Sequence, residues 1–250
     1  MASTIDPVRE YGLTAVLSSA EQLFEQAGLK NKATPSAIPV SATPVPDTPL
    51  ARRIQAYARD HLPAPTFNHS MRVYHYGLAI KKYLFPNWSF SDETWFLTCM
   101  LHDIGSTPDN LRATRLSFEF YGGFLALDVL QRDPDHPAGT AGVSPQAQAE
   151  SVAEAIIRHQ DECKVGNISE IGQLIQLATL FDNTGRFSEL VHPDTSRDVI
   201  KNHPRLNWSG CFASTVREEN TLKPWAHTTT LGDFASKIEG NPLAAEWERE

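Results

Sequence analysis

His102 and Asp103 stand side by side at the end of the apolar run Trp95-Phe96-Leu97-Thr98-Cys99-Met100-Leu101. A neutral imidazole and a carboxylate are both good ligands for a borderline divalent cation such as Zn²⁺ or Fe²⁺. Burying them at a helix end costs desolvation free energy unless something pairs with them, and a metal ion is such a partner. Two more ligand-type residues share this setting. His69 falls in the first turn of the helix expected after Asn68, and Asp182 closes the apolar segment Ile168 to Phe181. Helix bundles build metal sites in this way, from inward-facing side chains of neighbouring helices. Each residue alone has a plainer reading. A lone His among apolar neighbours is more often a hydrogen-bonded core residue, and Asp182-Asn183 would also suit a helix end or a turn. The ordered set His, His-Asp, Asp is more specific than any of its members.

The elements that must position these residues read as helices. Thr14 to Gly28 is amphipathic, with Leu17, Leu23 and Phe24 on one side. Prolines 35, 39, 44, 46 and 49 rule out helix and central strand from Asn31 to Pro49, which reads as an extended connector that either wraps the surface or is partly mobile. Leu50 to His61 is helical until Pro63 and Pro65 break it. Asn68 caps a segment to about Leu84, and Ser91, with Asp92 and Glu93 behind it, starts the segment that ends at His102-Asp103. Leu111 to Leu130 is periodic, with an interruption at Gly122-Gly123. Asp133 to Ser144 reads as a loop. Ser144-Pro145 starts a helix that runs towards His159. Short helices follow near Thr195–Lys201 and Phe212–Glu219. Alternating β-branched stretches are few, so the expected fold class is all-α. The expected domains are an N-terminal helix and proline-rich connector (1–49), a main helical domain (50–235) and a tail (236–250).

At 250 residues the chain can bury a substantial core. A formal net charge of −8 and a pI near 5.6 argue against non-specific nucleic-acid binding, which needs a basic surface. Cys99, Cys163 and Cys211 are odd in number and far apart, a poor disulfide framework with no CxxC spacing. Neither a secretory signal nor an apolar stretch of roughly 20 residues is visible. A cytoplasmic protein without membrane partners is expected.

The order His69, His102-Asp103, Asp182 resembles the HD-domain superfamily of metal-dependent hydrolases. That resemblance implies that these four residues hold one cation, with positions left for water. Many members carry a lysine shortly after the doublet, whereas Ile104-Gly105-Ser106 follows here. Phosphate chemistry also wants cationic groups, and few lie near these motifs beyond Arg72, Arg112, Arg115 and Arg158. A closer resemblance is to the fungal cyanamide hydratases. It rests on Asn68-His69-Ser70-Met71-Arg72-Val73, Leu101 to Gly105, Ser117 to Gly123, Ala155 to Asp161, Gly172 to Leu180 and Lys223 to Thr229. It covers roughly residues 50 to 235, which it implies are an HD catalytic domain, a helical bundle around a single metal site. It implies a zinc-dependent lyase that adds water to cyanamide to give urea, with Fe²⁺ or Mn²⁺ as alternative metals and a small molecule as partner. A homo-oligomer is expected.

Such a reaction needs a proton carrier as well as a metal. His159 is the first choice, because its imidazole titrates in the right range; a histidine orienting a ligand, or a fifth ligand, is the alternative. Glu119 is the second catalytic candidate, against the plainer reading of a helix-surface carboxylate. Asn68, beside His69, is a candidate hydrogen-bond donor to substrate, with helix capping as the simpler explanation. His227 matches the family string Lys223 to Thr229, but its spacing does not relate it to the doublet. The competing readings are an HD-type phosphohydrolase acting on a nucleotide, which predicts a strongly cationic pocket, and a non-catalytic HD-fold protein.

Overall fold

The computed structural model describes residues 6–132 and 142–244. Most of the loop expected over Asp133 to Ser144, and residues 245–250 of the expected tail, lie outside them. The helices among the described residues are α1 (Pro7–Glu10), α2 (Ala20–Gln26), α3 (Pro49–His61), α4 (Ala64–Leu84), α5 (Asp92–Leu101), α6 (Pro108–Ala113), α7 (Phe118–Gln131), α8 (Gln146–Ile157), α9 (Glu170–Thr184), α10 (Pro193–Asn202), α11 (Trp208–Leu222) and α12 (Phe234–Glu239). Among the described residues the fold is an all-α bundle with one small two-stranded sheet.

Three boundaries depart from the sequence expectation, each for a local reason. Residues 15–17 are strand, not helix. Ala15–Leu17 (β1) pairs antiparallel with Asn167–Ser169 (β2), setting β-branched Val16 opposite Ile168. Helix α2 begins only at Ala20, where the Ser19 hydroxyl caps it. Helix α4 starts at Ala64 rather than after Asn68. Pro65 sits in its first turn, where a missing N–H costs nothing and the preset φ suits a helix. His69 therefore sits one turn deeper than expected, fully buried. The third break, between α6 and α7, falls at residues 114–117 and not at Gly122-Gly123. Those glycines lie inside α7, where a Cβ on Gly123 would lie 2.4 Å from the Ile157 side chain. Close packing of α7 on α8 explains Gly123, whereas a Cβ on Gly122 would meet nothing closer than 3.4 Å. Gly105 has the same role more strictly, since a Cβ there would meet the Phe118 carbonyl oxygen at 2.0 Å. The turn after the doublet is thereby pressed against the start of α7.

Helix α5 is the central rod. The Ser91 hydroxyl accepts the Thr94 N–H at 3.1 Å to start it, and every side chain from Thr94 to Leu101 is buried. Burial on all sides explains why this run has no polar face. Helices α4, α8 and α9 pack around it to form the main core. A second apolar cluster gathers Leu111, Phe118, Trp208, Phe212, Phe234 and Ile238 beneath α11 and α12. The proline-rich connector straps the outside. The Ile38 N–H donates to Thr195 Oγ1 at 2.7 Å, the Val40 N–H donates to Asp198 at 2.8 Å, and the Tyr74 hydroxyl donates to the Pro44 carbonyl at 2.9 Å.

Candidate metal centre

His69, His102 and Asp103 come together in the interior, one ligand atom of each within 4.8 Å of the others. All three are buried. His102 caps the C-terminus of α5, and Asp103 follows in the bridge region of backbone space that opens the short 3₁₀ turn Ile104–Ser106. The helix end thus aims both side chains at α4, where His69 faces them.

Hydrogen bonds fix the ring orientations. His69 Nδ1 donates to Asp182 Oδ2 at 2.6 Å, and His102 Nδ1 donates to the Cys99 carbonyl at 2.8 Å. With both Nδ1 protons committed, each ring in its neutral form presents a bare Nε2, and these two Nε2 atoms lie 3.2 Å apart. Burial would lower the His102 pKa, but the Asp103 carboxylate, 3.2 Å from its Nε2, outweighs that and raises it. Both oxygens of Asp103 are buried without a hydrogen bond. With both rings neutral, the cluster is a set of lone pairs turned on one another. Unfilled, that arrangement costs the full desolvation of each acceptor; a divalent cation satisfies all of them at once. Burial, partly offset by Asp182, lowers the His69 pKa to about 4, so the ring is neutral at pH 7 as a ligand must be.

Asp182 occupies a different position from the one the linear order suggests. Its carboxylate is on the Nδ1 side of His69, away from the facing Nε2 atoms, and is not a member of the group above. Arg72 Nε donates to its Oδ1 at 2.9 Å, Arg72 Nη2 to its Oδ2 at 2.8 Å, and Arg205 Nη1 to its Oδ1 at 3.0 Å. Burial alone would raise this carboxyl's pKa; the two guanidiniums and His69 instead hold it well below the usual range. A carboxylate bonded to the far nitrogen of a ligand histidine fixes the tautomer and raises ligand basicity. Arg72 and Arg205 were not singled out from sequence for this role. The spacing of His69 and Arg72, three residues apart on one helix face, was the available signal for the first; Arg205 had none.

His159 stands beside the group. Its Nδ1 donates to the Ile156 carbonyl at 2.7 Å, and its Nε2 is 4.0 Å from Asp103 Oδ1. Burial, then the nearby His102, lowers its pKa. Aromatic rings close the surroundings. Trp208 stacks on His69 at 4.2 Å between centroids, and Phe118 packs on His159 at 5.6 Å. The other two candidates differ from their simple readings. Asn68 donates its side-chain amide to the Pro204 carbonyl at 2.8 Å, so it neither caps α4 nor has that donor to spare. Glu119 is no surface carboxylate: it is fully buried, and its Oε1 accepts from His227 Nδ1 at 2.8 Å. His227, 108 residues away in sequence, is the partner that spacing did not reveal.

Residues 66–184 match the HD domain family. Two proteins of Saccharomyces cerevisiae, cyanamide hydratase DDI2 and cyanamide hydratase DDI3, are each 43% identical to this chain over 199 residues, which is 80% of this chain and 85% of each relative.

Proposed function

The chain belongs to the cyanamide hydratase family, and on that premise we propose that it adds water to cyanamide, H₂N–C≡N, to give urea, with zinc as its metal. The pair of facing Nε2 atoms beside the unpartnered Asp103 carboxylate carries the metal part of this reading. The identity to the yeast relatives carries the substrate. His69, His102 and Asp103 hold the cation, and Asp182 acts through His69 by fixing its ring. When bound, zinc lowers the pKa of a coordinated water to about 7 and polarises a nitrile as a Lewis acid.

The chain's own groups supply the rest. His159, with Nδ1 tied to the backbone, has Nε2 as its one site for a proton. It takes a proton from the attacking water and returns it to the nitrile nitrogen. Such positioned proton transfer contributes about 10²–10⁴-fold. Glu119 is the second polar group of the reaction chamber. Trp208 and Phe118 exclude bulk water, which strengthens every polar contact inside. The buried guanidiniums of Arg72 and Arg205 bond to Asp182, so nothing here favours a phosphate substrate.

The test is urea formation from cyanamide by metal-replete protein, repeated after chelation and after zinc is restored, with metal content measured at each stage. Urea that appears, vanishes and returns with the metal supports the proposal. Metal-replete, folded protein that makes no urea sinks it.

A further inference from the structure

Glu119 retains one oxygen that nothing among the described residues satisfies. Its Oε2 is buried without a hydrogen bond, and an unsatisfied buried acceptor forfeits its hydration with nothing in return. The other oxygen is firmly committed. His227 donates to it through Nδ1 at 2.8 Å, while His227 Nε2 lies 3.3 Å from Asp161 Oδ1. The His227 backbone N–H donates to Ser117 Oγ at 2.9 Å, and Phe120 stacks on the ring at 5.5 Å. An imidazole between two carboxylates, held by its own backbone and by a stacked ring, is a rigid brace. It leaves Glu119 one free acceptor in a fixed place. Glu119 lies near His159, the histidine beside the metal centre. Phe118, the neighbouring residue, packs on His159, and the Glu119 charge acts to raise the proton affinity of His159.

Cyanamide is a short rod with a nitrile at one end and two N–H donors at the other. We propose that Glu119 Oε2 accepts an N–H of the substrate's amino group, and that His227 and Asp161 act through Glu119 as positioning residues. The assignment rests on the cyanamide reading above and gives it a specificity rule. Acetonitrile has nearly the same size and shape but carries a methyl group where cyanamide carries its amino group. A site built around a buried polar group rejects the analogue that cannot pair with it by about 10⁴–10⁵-fold. A Glu119 that moved protons instead would serve both nitriles alike.

The experiment compares kcat/KM for cyanamide with that for acetonitrile, and the inhibition constants of urea and acetonitrile, in the wild type and in Glu119→Gln. Glutamine keeps an acceptor for His227 but turns a donor NH₂ towards the substrate's own donor. Cyanamide kcat/KM should fall about 10²-fold or more, the urea inhibition constant should rise in parallel, and the acetonitrile constants should stay put. His227→Gln, at a position whose side chain is 24% exposed, carries the same comparison if Glu119→Gln does not fold. It should lower the preference for cyanamide by a smaller factor, and in the double variant add little to the effect of Glu119→Gln. Equal losses for both nitriles, or an unchanged preference, overturn this role while leaving cyanamide hydration intact. A metal-replete wild type that makes no urea overturns both.

Discussion

At the metal centre two imidazoles turn bare nitrogens towards each other beside a carboxylate that accepts nothing. At Glu119 a single imidazole lies between two carboxylates, donating to one and lying 3.3 Å from the other. Both clusters bury charge, and both border His159. The first is all acceptors, because every Nδ1 proton has been drawn off to the outside, to Asp182 and to the Cys99 carbonyl. The second keeps its proton at the middle and is nearly complete without a ligand. The difference lies in where the protons point. A buried group with no donor of its own calls for a cation, whereas one with a shared donor needs only what remains to be paired, here a single oxygen.

The largest expected effect comes from removing a lone pair at the centre. His102→Ala or Asp103→Asn should abolish stoichiometric metal binding and urea formation together, a loss exceeding the roughly 10–100-fold in affinity that substitutions outside the ligand set cost. Metal content by mass spectrometry and a chelator-competition titration read this directly. If either variant kept its metal at wild-type affinity, the facing nitrogens would be ordinary packing. Next comes His159→Gln. It should retain the metal and lower kcat by about 10²–10⁴-fold. Loss of metal from this variant would make His159 a ligand and extend the acceptor cluster by one.

The two clusters differed equally in how far they could be read from sequence. The His102-Asp103 doublet is local: one helix end delivers both side chains, and only an apolar run pointing at two polar residues had to be noticed. His69 followed from its place on an apolar helix. Asp182 was visible as a carboxylate beside the site but not as one facing Arg72 and Arg205. Its direction is set by how α9 packs on α4 and α11, and spacing along one helix does not encode that. The Glu119–His227 contact spans 108 residues and joins two segments whose own periodicity carries no trace of the pairing. The boundaries went astray where residues have two uses. Pro65 serves as a breaker in one context and a helix start in another, and Gly123 serves as an interruption or as close packing.

A third substitution separates holding the metal from holding the ligand. Asp182→Asn removes the charge that pairs two buried guanidiniums, so it should destabilise the protein by about 3–5 kcal/mol. It should weaken metal affinity by about 10–100-fold without abolishing it. Chemical denaturation and chelator competition on one preparation give both numbers. Metal loss as complete as in Asp103→Asn would put Asp182 among the direct ligands.

The smallest effect is in the pH dependence of folding, where His69 and His227 should pull in opposite directions. In the metal-free protein His69 is depressed to about 4 from an ordinary 6.5, chiefly by burial. The unfolded chain therefore takes up that proton first. The contribution of neutral His69 is present above pH 6.5 and is lost as pH falls from there through about 4. His227 is raised, first by its hydrogen bond to Glu119. Its contribution is full below pH 6.5 and is lost as pH rises through its higher folded value. Because His227 is partly exposed, solvent screening limits that contribution to about 0.5–1 kcal/mol. Denaturation of metal-free wild type and His227→Gln across pH 4 to 9, a range set to bracket the ordinary histidine value, isolates it. The stability gap between them should be widest on the acid side and close towards the alkaline side, while both proteins share the acid loss from His69. A gap that widened with rising pH would mean that His227 is neutral when bonded to Glu119. The brace would then be a plain hydrogen bond without the charge that sets it apart from the metal centre.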